Sequence, residues 1–187
     1  ASGGGSFSLQ APSSSANNRV FTLPDVADAT MATVNGISEF DQWYLTASKT
    51  SNSDITANLL RNDRAGAASQ IGTGMTESSG IFTFPRTGKY LVNVVATFVI
   101  SGNDSVLVQT QVTTNNNTYE VHTSASDGAN TTAARNGSGT SFAFIDVTDT
   151  SQVKVKFTAA SIGTGSSVTG SSTQVTTSFI FIRLGDT

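Results

Sequence analysis

Short runs in which apolar and polar residues alternate recur along the chain, and stretches rich in Gly, Ser, Asn and Thr separate them. The run 152–157 (QVKVKF) places three apolar side chains on one face and two lysines on the other. A period of two is that of a half-buried β-strand. Runs of the same kind lie at 42–45, 81–84, 106–113, 118–123 and 141–147. The pattern therefore predicts an all-β fold built from many short strands.

Two longer runs, 90–100 (YLVNVVATFVI) and 175–184 (VTTSFIFIRL), are apolar on both faces. We expect both faces of these strands to be buried, and a second subunit is one way to cover the outer face. A last strand this apolar is expected in the middle of a sheet, because at an edge it would promote aggregation. Many short strands ending in a central one favour a two-sheet antiparallel jelly roll.

Residues 1–37 have a weaker pattern, and we interpret them as an extended N-terminal β arm that precedes a head domain over residues 38–187. The arm contains two short alternating segments, 7–10 and 20–23, and Pro24 ends the second because it lacks a backbone N–H. Residues 55–64 fit either a strand or a short helical turn. The polar segment 124–140 is predicted to be an exposed loop, and 161–172 a mobile one.

Composition and charge exclude several classes of partner. The net charge is −3, the pI is near 4.9 and no run of Lys or Arg occurs, so a phosphate-binding surface for nucleic acid is not expected. No stretch is long and apolar enough to span a membrane.

The chain has no Cys and therefore no disulfide or thiolate site. The first residue, Ala1, fits a chain that lost only its initiator Met, although a cleaved leader remains open.

The inventory of reactive side chains argues against an enzyme. His122 is the sole histidine and lies within a predicted strand. The sequence has no Gly-x-Ser-x-Gly turn, so no nucleophilic serine of that kind is present for His122 to activate. A glycosidase needs two carboxylates that flank the glycosidic bond in a cleft. Two acid pairs lie close in sequence, Asp146 with Asp149 and Asp63 with Glu77, but nothing in the sequence points to a cleft around them. We therefore expect no catalytic residues.

Calcium binding is a stronger hypothesis than catalysis for the acidic turns at 102–104 (GND) and 127–128 (DG). Neither turn supplies the spaced run of oxygen ligands that a calcium loop provides, so solvated turn acids are preferred. Glycine-rich stretches such as 72–74 lack the Lys and the following helix of a phosphate loop. The sequence predicts no cofactor and no metal.

The segment 82–90 (FTFPRTGKY) resembles the signature of the globular head of the collagen-stalked complement recognition protein. That signature is Phe, five residues, Gly, one residue and Tyr, which Phe82, Gly88 and Tyr90 match, with Val92 and Val94 where the family favours aromatics. The resemblance covers about residues 40–187, although the upstream part of the family pattern is not evident. It implies a ten-stranded jelly roll of the tumour-necrosis-factor type, a threefold trimer, and a recognition or structural role rather than an enzymatic one.

Residues 7–33 (FSLQAPSSSANNRVFTLPDVADATMAT) resemble a short module that recurs in bacteriophage virion proteins: a strand, an Ala-Pro turn, Asn-Arg, a second strand and Leu-Pro-Asp. An ordinary polar hairpin is the alternative. An arm of this kind before a trimeric head implies a capsid decoration (cement) protein, a head fibre or a tail-fibre knob. Its partners would be two further copies of itself and the major capsid protein, and it would be made in the host bacterial cytoplasm.

The hypothesis from sequence is thus a non-enzymatic homotrimer that decorates or stabilises the phage capsid. Side chains expected in the core or at the trimer axis are Tyr90, Val92, Phe98, Phe179 and Phe181, and those expected to attach the arm to the capsid are Phe7, Leu9, Phe21 and Leu23. A fibre knob that binds host-surface carbohydrate through 124–140 and 161–172 is the first alternative, although those loops lack aromatics for stacking on sugars. A secreted recognition module of a cellular organism is the second.

Overall fold

The computed structural model describes residues 36–130 and 133–187, and all of the regular structure in these residues is β. The predicted arm, apart from its last two residues, lies outside the described residues. The strands are β1 (Phe40–Leu45), β2 (Ser53–Asp54), β3 (Leu59–Arg61), β4 (Gln70–Ile71), β5 (Thr76–Ser78), β6 (Ile81–Thr83), β7 (Gly88–Ile100), β8 (Asn103–Thr113), β9 (Glu120–Asn130), β10 (Arg135–Val147), β11 (Lys154–Ala160), β12 (Ser167–Val168) and β13 (Ser178–Gly185).

The strands form two antiparallel sheets that pack face to face. The first sheet has the order β10-β7-β13-β1-β3, with β12 beside β7 and β4 beside β1. The second has the order β5-β6-β11-β8-β9, with β2 beside β11. The last strand, β13, lies between β7 and β1, which confirms its predicted central position. This is the predicted two-sheet antiparallel jelly roll.

Aromatic side chains from both sheets fill the space between them. Phe157 of the second sheet stacks on Phe179 of the first, with ring centroids 4.1 Å apart. Phe82 contacts Phe157 edge-on at 5.6 Å and Phe181 at 5.1 Å. Aromatic pairs in these arrangements stabilise a core by about 0.5–1.5 kcal/mol beyond the burial of their area. The core therefore depends on residues from strands that are distant in sequence.

Segment 124–140 is not a loop, so that prediction was wrong. β9 and β10 occupy most of it, and β10 pairs with β7 along its whole length, from Arg135 opposite Ile100 to Val147 opposite Gly88. A Cβ atom on Gly139 would lie 2.6 Å from the backbone nitrogen of Ser126 in β9. Glycine in this strand therefore marks a close approach of two backbones rather than a turn.

Segment 161–172 is also more ordered than predicted. It contains β12, which pairs with β7, and the Val168 side chain is fully buried. The hydroxyl oxygen of Ser166 accepts a hydrogen bond from the Ser101 N–H at 3.0 Å. The polar residues of this segment suggested mobility, but one of their hydroxyl groups instead binds the backbone directly after β7. The ambiguous segment 55–64 contains strand β3.

Two carboxylates near the start of β1, those of Glu39 and Asp41, are buried. Asp41 is 1% exposed, and both of its oxygens accept hydrogen bonds from the Arg61 guanidinium, at 2.9 and 3.1 Å. Its Oδ2 also accepts from Trp43 Nε1 at 2.9 Å and from the Met75 N–H at 2.7 Å. Buried charges are tolerated when they are paired in this way. Asp41 thereby joins β1, β3 and the segment before β5.

Asp41→Ala is expected to lower the free energy of unfolding by about 3 kcal/mol, because it leaves buried donors and a partly buried guanidinium without their acceptor. Chemical denaturation measures this directly. The matched control is Asp63→Ala, since Asp63 is exposed and its loss should change stability by less than about 0.5 kcal/mol. Equal effects of the two substitutions would contradict the structural role given to Asp41.

Candidate subunit interface

The outer face of the first sheet is apolar across four strands. Cross-strand partners share a face of a sheet, so the register aligns Phe144, Leu91, Ile182 and Phe40 in one outward row. The adjacent row begins at Phe142 of β10. We use the name apolar outer face for the following outward side chains: Phe40, Leu91, Val95, Phe142, Phe144, Ile180, Ile182 and Leu184.

Several of these side chains are strongly exposed in the single chain. Phe144 is 72% exposed, Leu184 57%, Phe142 53% and Val95 39%. Single exposed apolar residues are ordinary on protein surfaces, but a contiguous group marks a contact with another molecule. The arrangement suits association with a second apolar surface.

Polar groups within this face are satisfied locally. Asn93 lies between Phe142 and Ile180 in the register, is 8% exposed, and donates from Nδ2 to the Ser141 carbonyl oxygen at 3.1 Å. The charged side chains on the outward positions of β7, β10 and β13 are Lys89 and Asp146, which are cross-strand partners at one end of the sheet. The remainder of the face is uncharged.

A pocket of about 320 Å³, which we call the end pocket, opens at that same end. Phe144 and Leu184 flank it, and Lys89, Tyr90, Ile145, Asp146 and Gly185 complete its lining. The pairing of β13 with β7 shifts by one residue between Arg183 and Gly185, so Leu184 is the extra residue of a bulge. The bulge redirects Leu184, and Gly185 contributes no side chain to fill the space.

The five residues predicted for the core or the trimer axis all lie between the two sheets. Their exposed fractions are 0–1%, for Tyr90, Val92, Phe98, Phe179 and Phe181. Some outward neighbours in the same strands, such as Leu91, Ile180 and Ile182, belong to the apolar outer face instead. The four arm residues predicted to attach to a capsid, Phe7, Leu9, Phe21 and Leu23, lie outside the described residues.

The prediction from sequence did not single out Phe142 and Phe144, which are the most exposed aromatics of the outer face. The signal was present in 141–147 (SFAFIDV), where these two residues alternate with Ala143 and Ile145. A strand apolar on both faces was recognised at 90–100 but not here, because Ser141 and Asp146 make this run look half polar. The register with β7 resolves which face is outward.

The acidic turns weighed for calcium engage their oxygens within the protein. Asp127 Oδ1 accepts from the Gly128 N–H at 2.7 Å and pairs with Arg135 at 2.8 Å, and the Arg135 hydrogen bond lowers the Asp127 pKa. Asp104 Oδ2 accepts from the Gly163 N–H at 3.0 Å. Residues 36–130 and 133–187 contain no group of three or more His, Cys, Asp or Glu side chains that could hold a metal ion, and no helix able to cross a membrane.

The fold has solved counterparts. Murine APRIL at pH 5.0 superposes with a TM-score of 0.58 and 10% identity, over 78% of this chain and 98% of that chain. Eiger TNF from S. frugiperda gives a TM-score of 0.51 and 14% identity, over 80% and 88%. At these identities the likeness defines the fold alone, which is a jelly roll of the tumour-necrosis-factor type. No protein-family model matches the chain, and no curated protein sequence does.

Tyr90, beneath the end pocket, gives a prediction for alkaline pH. Burial raises the pKa of its phenol above the ordinary value, and the Glu39 carboxylate raises it further. The unfolded chain therefore loses this proton first, so the contribution of Tyr90 to stability is complete below about pH 10 and is lost as the pH rises through the folded pKa.

As the pH rises above about 10, Tyr90→Phe should therefore lose less stability than the natural chain, since the titration of this side chain is removed. Near pH 7 the variant should be less stable by about 1 kcal/mol, because the Tyr90 hydroxyl donates to the Arg86 carbonyl oxygen at 3.0 Å. Denaturation curves at several pH values measure both effects. Identical alkaline slopes for the two proteins would contradict this assignment.

Proposed function

We propose that this protein is a non-enzymatic structural subunit that assembles as a homotrimer on the surface of a bacteriophage particle, where it decorates or stabilises the capsid. The observation that carries the proposal is the apolar outer face on a jelly roll of the tumour-necrosis-factor type. The virion part of the proposal rests on the arm, whose residues 7–33 resemble a module of phage virion proteins.

Burial of the outer face supplies the driving force for association. Full burial of one Phe, Leu or Val side chain contributes about 1.5–3 kcal/mol, and Phe144, Leu184 and Phe142 are each more than half exposed in the single chain. A face that meets a different surface on the next copy closes into a ring when the rotation is 120°. The fold resemblance supports a threefold ring over other closed assemblies.

The arm would supply the contact with the particle. Its two alternating segments each carry two apolar side chains, Phe7 with Leu9 and Phe21 with Leu23. Three arms from one trimer would bind together, which raises the overall affinity well above that of one arm. The major capsid protein is the proposed partner, and the trimeric head would face solvent.

The carbohydrate-binding knob is the less favoured function. One of its two proposed loops, 124–140, is occupied largely by β9 and β10. A glycan array probed with the purified protein distinguishes the two functions, because a cement protein should give no specific glycan signal.

Light scattering should give a mass three times that of the 19.3 kDa chain, and Phe144→Ser should shift the protein toward the monomer. The reason is that Phe144 loses its burial against a neighbouring copy while making little contact with its own core. Val121→Ser is the matched control, since Val121 is 50% exposed but lies on β9 of the other sheet. A monomeric natural chain would overturn the trimer.

Replacing Phe21 and Leu23 together by Asp should abolish docking onto capsids that lack this protein, while the trimer mass stays unchanged. Two charges in place of two apolar anchors would have to be desolvated at the capsid contact. Co-sedimentation of the variant with bare capsids measures docking, and replacement of Ser13 and Ser14 by Asp in the connecting turn adds the same charge as a control. Docking that survives the Phe21/Leu23 change would refute the attachment role.

A further inference from the structure

We infer that the end pocket receives the Phe142 side chain of a second copy of this chain. The inference rests on the proposed homotrimer and adds which residues meet at each subunit contact. It assigns a receiving site to one end of the apolar outer face, and an inserting side chain to the edge strand β10.

The end pocket has the size and lining for an aromatic ring. Its volume of about 320 Å³ exceeds the roughly 150 Å³ of an apolar cavity known to hold benzene. Phe144 and Leu184 form its walls and are 72% and 57% exposed. An aromatic side chain inserted there would cover both walls in one contact.

Phe142 is the aromatic side chain available to insert. Of the large apolar side chains exposed in the described part of the chain, Phe142 and Phe144 are the aromatic ones, and Phe144 is a wall of the pocket itself. Phe142 projects 53% exposed from β10, the edge strand of the first sheet. In the strand order of the first sheet no described strand follows β10, so Phe142 has a neighbouring strand on one side only.

Phe142 does not line the end pocket of its own chain and lies far from the Leu184 wall. The register aligns Phe142 with Asn93 and Ile180, and Leu184 follows Ile180 by four residues along β13. That offset is about 13 Å along the strand, and two strand spacings add about 9.5 Å across the sheet. The contact must therefore join two copies through different residues. A two-fold dimer can make such a contact twice and a ring makes it once with each neighbour, so the ring is taken here from the proposed homotrimer.

The charge distribution favours a second copy over a charged partner. Lys89 and Asp146 border the pocket as an opposite-charge pair, and neither forms an ion pair with another described residue. The rest of the outward positions on β7, β10 and β13 are uncharged. Each copy of such a face carries one opposite-charge pair and no net charge, so a strongly acidic or basic partner would find no net charge of the opposite sign.

Disulfide trapping tests the contact, because the natural chain has no Cys. The double variant Phe142→Cys with Leu184→Cys is incubated with oxidised glutathione and run on a non-reducing gel. Disulfide-bonded Cα atoms lie at most about 7 Å apart, so a bond within one chain is excluded by the offset above. The expected product is a covalent trimer, and the pair Val121→Cys with Leu184→Cys should give none.

Gly185→Leu is an independent test that leaves Phe142 in place. A Cβ atom at Gly185 meets no other atom within 4 Å, so the larger side chain should fill the pocket without disturbing the fold of the single chain. Light scattering should then show a mass reduced toward 19.3 kDa, with an unchanged circular dichroism spectrum.

The outcomes separate this inference from the proposed function. A natural chain that is trimeric, with no covalent trimer from the Phe142/Leu184 pair and no loss of mass for Gly185→Leu, overturns the pocket contact and leaves the trimer standing. A natural chain that is monomeric overturns both.

Discussion

Two adjacent strands in the middle of the first sheet, β7 and β13, carry apolar side chains on both faces, and a two-layer sandwich can cover only one of them. The inward set, including Val92 and Phe181, is fully buried against the second sheet. The outward set is left to be covered by something else. Since sheets alternate strictly, no rotation or register shift could bury both sets within one chain. The composition of these strands thus determines the core and leaves an apolar outer face partly exposed in the single chain.

Two buried carboxylates, those of Glu39 and Asp41, lie beside the doubly apolar strands of the first sheet. β13 is flanked by β1; the buried Glu39 immediately precedes β1, and the buried Asp41 is its second residue. Glu39 Oε2 accepts from the Thr73 and Gly74 N–H groups at 2.9 and 3.2 Å, so the carboxylates hold the chain between β4 and β5 against the sheet. These contacts close the sandwich at one edge without using apolar area. These polar contacts therefore hold the edge of the monomer together through groups other than the side chains of the apolar outer face.

Local patterns predicted the strands whose alternation is strong, such as β11, and the central place of β13 followed from its apolar composition alone. What sequence could not show is pairing between distant segments. Gly137 and Gly139 look like loop residues until β9 is known to cross them, and Ser166 looks mobile until its bond to Ser101 is seen. Phe142 and Phe144 were within a predicted strand, but only the register with β7 shows which face they occupy.

The two outer faces of the sandwich differ in kind, and this difference limits how copies can associate. On the second sheet, Lys154 and Lys156 point outward opposite Thr113 and Gln111, so that face is hydrated. On the first sheet the outward positions from β10 to β1 are mostly apolar, with the polar Thr140, Asn93 and Gln42 among them. Association through the first face alone leaves the second in solvent, so stacking into open layers is disfavoured. A pocket and an exposed aromatic lie at separate positions of that one face, so each copy can both receive a side chain and insert one, in a two-fold dimer and in a closed ring alike.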